Sequence, residues 1–377
     1  MSKIWIIAGE ASGDTYGATL AKSLQALEPG IELGGMGGEK MRAAGVNTLV
    51  DSTELGIVGI LEALRHLPFF IRLLRRLTAA AAEARPDTVV MIDYPGFNLP
   101  FAKRLHKLGI RVVWYISPQV WAWRTGRIWK LAKCCDRMLC IFPFEPECYA
   151  PTSLKAEFVG HPLLDDLRPY RENLPVRDEN HILLLPGSRR MELSLLLPDM
   201  INAACLMHRR NPALRFEIAL PRPAILELAR EIHSGMTLPE DAPEFIWSVG
   251  STRQRMCEAG AAIAASGTVT IEAALLGLPL VVAYKLNSLS WWLASKLIRI
   301  NTITIANLVC GSTVYQECLQ KGCTPEALAE AAEALLPGKP GREQCLQGIA
   351  EFQRRMGQAG NVADNVARIA LKLEENR

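Results

Sequence analysis

The chain has 377 residues, enough for about two domains, with 49% hydrophobic and 21% charged residues and a formal net charge of +3. That composition supports sizeable cores, and so small a net charge gives no sign of a nucleic-acid partner. The longest apolar run, Ala273 to Tyr284, has 12 residues, short of the ~20 that a membrane-spanning helix requires.

Met1-Ser2-Lys3 leads directly into the apolar Ile4-Trp5-Ile6-Ile7, so no export leader is expected. The ten cysteines include the vicinal pair Cys134-Cys135 but no CxxC and no Cys/His metal spacing. They read as reduced thiols of a cytoplasmic protein.

The first strand, Ile4–Ala8, ends in Gly9-Glu10-Ala11-Ser12-Gly13-Asp14, and a helix follows over 17–27. Small residues there allow close approach of a ligand to the helix N-terminus. The alternative is a tight turn with Ser12 or Asp14 as a cap. Gly34-Gly35-Met36-Gly37-Gly38 reads as a glycine loop after a short strand, with a brief helix at 40–44.

Residues 54–77 form an amphipathic stretch. If helical, it places Leu64, Leu67, Phe70, Ile71 and Leu74 on one face and Arg65, Arg72 and Arg76 on the other. Pro68 divides it, near the start of a second helix. The expected role is docking on a membrane surface, with basic groups near anionic head groups. The alternative is a helix that covers a sheet. Ile57, Val58, Ile60, Phe69 and Leu73 exceed one packing face and favour the membrane.

Strand Thr88–Ile92 ends on an acid, in Ile92-Asp93-Tyr94-Pro95-Gly96-Phe97-Asn98, before a helix at 100–108. Strand Val112–Ile116 ends in Ser117-Pro118-Gln119-Val120-Trp121-Ala122-Trp123-Arg124. In open parallel α/β sheets, ligands bind outside the carboxyl ends of strands. Asp93 is therefore a candidate base, and the tryptophans and arginine suit an anionic, carbon-rich ligand. Trp121 and Trp123 either stack on that ligand or anchor the loop. A further strand reads at 138–141. Strands alternating with helices at this spacing predict a parallel sheet with helices on both faces.

A second such unit follows a linker near residues 162–180, with strands at 181–185, 215–220, 244–248, 261–265 and 280–284. After its first strand, Gly187-Ser188-Arg189 suits a phosphate; the alternative is a solvated basic turn. Ser266-Gly267-Thr268 opens an apolar helix whose N–H groups and hydroxyls can hold a diphosphate. Glu272, one turn in, is placed to accept bonds from ribose hydroxyls; hydroxyl capping alone would not account for it. There is no Walker A, HExxH, GxSxG or DxD sequence, and Asp165-Asp166 are adjacent rather than alternating. No metal and no cofactor are expected. The segments 325–336 and 341–375 read as helical.

Together, GEASGD at 9–14, IDYPGFN at 92–98, YISPQVWAWR at 115–124, FVGHP at 158–162, LLPGSR at 184–189, ASGT at 265–268 with Glu272, and ANL at 306–308 resemble the lipid-A-disaccharide synthases. These are bacterial glycosyltransferases of the GT-B architecture, family 19 type. The resemblance runs from about residue 4 to 320. It implies two Rossmann-like α/β domains with parallel sheets facing a central cleft: 1–170 for acceptor and membrane, 171–350 for UDP-sugar, and 351–377 as a helix that crosses back to the first domain. It implies that UDP-2,3-diacylglucosamine is joined to 2,3-diacylglucosamine 1-phosphate (lipid X), with inversion, giving a β-1,6-linked disaccharide 1-phosphate and UDP at the inner membrane surface. Asp93 is then the base. Gly187, Ser188, Arg189, Ser266, Gly267, Thr268, Glu272 and Asn307 form the nucleotide site, and Glu10, Ser12, Gly13, Asp14, Asn98, Trp123 and Arg124 contact the acceptor. Gly96 stands where the family often has a second acid, which leaves Asp93 alone at this strand end. A homodimer is compatible with the long C-terminal helical region. The rival readings are a UDP-N-acetylglucosamine 2-epimerase, another lipid-directed glycosyltransferase, and a non-catalytic binding module.

Overall fold

A computed structural model describes residues 1–52, 67–122, 125–286, 302–357 and 360–373. The chain divides into two compact units, Met1–Asp165 with Ala359–Arg377, and Asp166–Gln358. Each is built on one parallel sheet, in the GT-B manner.

The first unit contains β1 (Lys3–Ala8), β2 (Glu32–Gly37), β3 (Asn47–Asp51), β4 (Thr88–Ile92), β5 (Arg111–Tyr115), β6 (Arg137–Cys140) and β7 (Lys155–Phe158), in the order β3-β2-β1-β4-β5-β6-β7. The Thr-Val-Val-Met-Ile run of β4 is buried at every position. Such continuous apolar runs are what a parallel sheet covered on both faces demands. The chain moves outward from β1 to β3, then returns to the other side of β1 at β4. The β1/β4 pair is therefore a topological switch point, where ligands bind in such sheets.

The second unit contains β8 (Asp178–Leu185), β9 (Arg215–Leu220), β10 (Phe245–Val249), β11 (Ala259–Ala265), β12 (Leu280–Tyr284) and β13 (Gln316–Leu319), in the order β10-β9-β8-β11-β12-β13. Its switch point is β8/β11. The helix Arg190–Arg210 buries Leu193, Leu196, Leu197, Met200, Ala204 and Met207, a stripe at three- and four-residue spacing.

The glycines at 34–37 form β2 itself, not a loop. Trp5 covers Gly34, where a Cβ would lie 2.9 Å from its Nε1, and a Cβ on Gly37 would lie 2.3 Å from Met41 Sδ. Bare backbone is what lets these neighbours close in. Strands β3, β7 and β13 are additions to the sequence reading.

The helix Leu67–Ala84 also differs from expectation. Leu73, Leu77 and Ala81 are buried, and Phe70 and Leu74 pack half-buried against the same core. Phe70 meets Phe97 with ring centroids 6.5 Å apart. So part of the face assigned to a membrane packs on the sheet instead. Among the described side chains of this helix, the exposed large apolar ones are Phe69, at 37%, and Ile71, at 39%. Leu64 and the side chain of Leu67 lie outside the described residues. Among the described residues, no helix is long and apolar enough to cross a membrane.

The last helix, Val362–Ala370, belongs to the first unit. Arg111 Nη1 donates to Ile369 O (3.0 Å) and Ala370 O (3.1 Å), and Thr88 Oγ1 donates to Ala370 O (3.1 Å). A cation at a helix C-terminus satisfies carbonyls that lack helical partners.

Candidate functional site

At the β1/β4 switch point, the strand ends are held in unusual backbone conformations. Asp93 and Tyr94 have φ of 44° and 48°, and Ile116, just after β5, has φ of 70°. Left-handed backbone costs about 1–3 kcal/mol at a residue other than glycine, and such strain gathers at functional sites. Here the surroundings enforce it. Asp93 N–H bonds Tyr115 O at 2.9 Å. Asn98 Nδ2 donates to Asp93 O at 2.7 Å and Ile92 O at 3.3 Å. Gly9 leaves room for the Tyr94 ring, which would stand 2.3 Å from any Cβ at that position.

The Asp93 side chain is open to solvent, yet recessed among protein atoms. Desolvation first, then the charge of Glu10, push its carboxyl up from 3.8 to about 6; the Tyr94 N–H opposes them. A carboxylate of that basicity, open on one side, can take a proton from a hydroxyl near neutral pH.

The other residues expected at this site fall into two groups. Glu10 and Ser12 are exposed at the start of the helix Ala11–Leu27, and Glu10 makes no capping bond with its side chain. Gly13, Asp14 and Asn98 have structural work. Gly13 lies against the strands, with a Cβ position 3.3 Å from Ala8 Cβ. Asp14 accepts from the N–H groups of Gly38 (2.6 Å), Lys40 (3.0 Å) and Met41 (3.1 Å), and so caps the helix Glu39–Ala43. Asn98 is fully buried under the Asp93 turn. Each of these three also serves the frame of the site. Trp123 and Arg124 lie outside the described residues.

The sequence reading missed Glu145. It lies just after β6, nearly fully buried, and accepts from Ile141 N (3.0 Å), Phe142 N (3.1 Å) and Trp121 Nε1 (3.3 Å). Burial pushes it up from 4.5 to about 7, against those three bonds, and the charge of Asp93 adds to the shift. Trp121 thus has a loop-anchoring bond. Past β7, His161 is buried and held neutral, its pKa lowered to about 3 by desolvation, with Nδ1 accepting from Leu163 N at 3.1 Å.

In the second unit, β8 and β11 are neighbours, and their carboxyl ends carry the two expected phosphate loops. Gly187 has φ of 108°, and a Cβ there would lie 3.6 Å from Ala265 Cβ, so the loop after β8 runs beside the end of β11. Ser188 and Arg189 are exposed. Arg189, with its side chain 81% exposed, makes one bond to Glu192 (3.0 Å). It immediately precedes the helix Arg190–Arg210, whose N-terminal N–H groups favour anions. Ser266 is half-buried; Gly267 and Thr268 are exposed at the start of the helix Thr268–Leu275. Glu272 is gripped by Arg253, at 2.9 Å to Nε and 2.7 Å to Nη2. Arg253 comes from the helix after β10, and nothing in the sequence pattern distinguished it.

Asn307, expected in the nucleotide site, lies in the helix Ile305–Cys310 and bonds the segment before β13. Its Nδ2 donates to Tyr315 O (2.9 Å) and Glu317 Oε1 (3.3 Å), and its Oδ1 accepts from Val314 N (2.8 Å) and Tyr315 N (2.9 Å). The amide is engaged on both sides and braces the turn into β13. Among the described residues, no group of three or more potential metal ligands is assembled.

Comparison with known proteins gives one answer in sequence and a broader one in fold. The family model described as Lipid-A-disaccharide synthetase matches residues 4–370. The chain is 38% identical to the lipid-A-disaccharide synthase of Myxococcus xanthus, over 98% of this chain and 97% of the other. It is 39% identical to that of Coxiella burnetii (strain Dugway 5J108-111), over 98% of each. The fold is similar to that of a UDP-GlcNAc 2-epimerase from Neisseria meningitidis bound to UDP-GlcNAc, with a TM-score of 0.62, 12% identity and coverage of 100% of both chains.

Proposed function

The chain belongs to the lipid-A-disaccharide synthetase family, and on that premise we propose that this glycosyltransferase joins UDP-2,3-diacylglucosamine to lipid X by a single inverting displacement. The observation that carries the proposal is Asp93: a recessed carboxylate at a switch point, on strained backbone, raised to about 6. Asp93 takes the proton of the acceptor 6-hydroxyl as that oxygen attacks the donor anomeric carbon. The bond from that carbon to the diphosphate oxygen breaks, and UDP leaves with the electron pair.

Leaving-group charge is met by fixed donors: Arg189, and the N–H groups at the starts of the helices Arg190–Arg210 and Thr268–Leu275. Gly187, Ser188, Ser266, Gly267 and Thr268 let the diphosphate approach backbone. Glu272, oriented by Arg253, accepts from the ribose hydroxyls. No metal is required in this scheme, because an arginine and two helix N-termini supply the positive field. Glu10 and Ser12 face the acceptor from the β1 side of the switch point. Phe69 and Ile71, with the exposed Arg72 and Arg75, rest on the membrane surface from which both acylated substrates come.

Asp93→Ala separates this reading from an epimerase-like one. It is expected to keep UDP binding and lose at least ~100-fold in disaccharide formation, the range of a general base. Near-normal turnover would remove Asp93 from the mechanism. Conversion of the UDP-sugar without any acceptor would favour the isomerase.

A further inference from the structure

Glu145 has no part in the scheme above, yet it is 1% exposed and ionisable. A buried carboxyl persists only when its oxygens are bonded. Two of its bonds, from Ile141 N and Phe142 N, stay within its own turn. The third, from Trp121 Nε1, reaches out to the loop after β5.

That loop is tied down a second time. Ser117 Oγ lies 2.8 Å from the Tyr149 hydroxyl, at the far end of the same short helix, Glu145–Tyr149. The Trp121 ring also stands edge-on to Phe144, with centroids 5.4 Å apart. So both ends of the segment 117–121 are fastened to the turn and helix that follow β6. The strand end needs such fastening, because Ile116 occupies left-handed backbone that a β-branched residue resists. β5 pairs directly with β4, whose end carries Asp93. The charge of Asp93 is felt at Glu145, which places the two groups within electrostatic reach.

We propose that Glu145 is a positioning residue for the acceptor: through Trp121 it fixes the loop 117–121 beside Asp93, so that the sugar 1-phosphate is received in one orientation. The proposal rests on the acceptor reading given above. Glu145 acts through Trp121 and touches no reacting atom.

Two variants of the full chain test it. Glu145→Gln keeps the size of the side chain but has one oxygen, so it cannot accept on both sides. Trp121→Phe keeps an aromatic ring beside Phe144 while removing the N–H together with part of the indole, and it carries the test alone if Glu145→Gln does not fold. Hydrogen exchange over residues 117–122 and two-substrate kinetics with UDP-2,3-diacylglucosamine and lipid X in detergent micelles are measured on each. The expected result is loop exchange at least ~10-fold faster, in keeping with a lost bond that held local structure closed. kcat/KM for lipid X falls by on the order of 10-fold or more, as misplaced reactants do, while the donor KM stays within about twofold. The double variant is no worse than the poorer single one, since both remove the same link.

Unchanged exchange in Trp121→Phe overturns the link. Faster exchange with unaltered lipid X kinetics overturns its role in positioning, as does equal damage to donor and acceptor or strict additivity in the double variant. If the unmodified protein makes no disaccharide, the reaction proposed above fails, and the exchange comparison by itself decides whether Glu145 fixes the loop.

Discussion

The side-chain amide of Asn98 donates to the backbone carbonyl of Asp93 at 2.7 Å, from a position with no exposure to solvent. The bond closes a turn over the end of β4 and holds Asp93 at φ 44°. Asn98→Ala removes the donor to Asp93 O and to the buried Ile92 O, and a carbonyl left short of a partner costs about 1–3 kcal/mol. A lower melting temperature together with a ~10- to 100-fold lower kcat is the expected outcome. Lower stability with normal kcat would mean that the turn does not set the Asp93 geometry.

The basicity of Asp93 predicts two opposite pH effects. As a base it must be ionised, so kcat/KM falls as pH drops through about 6. For stability the sign reverses. Its folded pKa lies above the ordinary 3.8, so the fold binds this proton more tightly than the unfolded chain does. The stabilisation is full below 3.8 and is lost as pH rises to about 6. Asp93→Asn should therefore be inactive, yet melt higher than the parent at pH 8, with the difference gone by about pH 4. A variant less stable at both pH values would show that the recess does not disfavour the charge.

Arg189 projects from the strand end with its side chain 81% exposed and a single salt bridge to Glu192. An exposed pair of this kind contributes about 0–1 kcal/mol to folding, so Arg189→Ala should melt like the parent. Loss of a donor to the leaving diphosphate should instead lower kcat/KM for the UDP-sugar by on the order of 100-fold. Unchanged donor kinetics would mark Arg189 as a surface charge only.

Among the described side chains of the helix Leu67–Ala84, Phe69 and Ile71 are the large apolar ones that are exposed. Each such side chain gains roughly 1.5–3 kcal/mol when fully removed from water. Changing both to serine should weaken binding to anionic vesicles at least ~10-fold without lowering the melting temperature. Phe70→Ser should do the reverse, because Phe70 packs on Phe97. Undiminished vesicle binding by the Phe69/Ile71 variant would take this helix out of membrane docking.

Strand ends that finish an apolar run were legible from sequence: Asp93, Gly187–Arg189 and Ser266–Thr268 lie where the pattern put them. Strand β2 was not, because its glycines have low strand propensity. It forms because Trp5 and Met41 close over backbone that has no Cβ. The structural bonds of Asp14, beside a glycine turn, and of Asn307, in the ANL segment of the resemblance, are not legible in sequence, because a polar side chain can serve a ligand or the backbone alike. Only the coordinates show their atoms taken up by backbone groups. Glu145 escaped notice in Phe142-Pro143-Phe144-Glu145-Pro146, where no polar neighbour in sequence hints at the Trp121 indole 24 positions earlier.

The most direct test is to incubate the purified chain with UDP-2,3-diacylglucosamine and radiolabelled lipid X in detergent micelles with excess chelator. The account predicts a labelled disaccharide 1-phosphate and an equal amount of UDP. UDP bound without any labelled product, or product formed only when a divalent metal is restored, would contradict it.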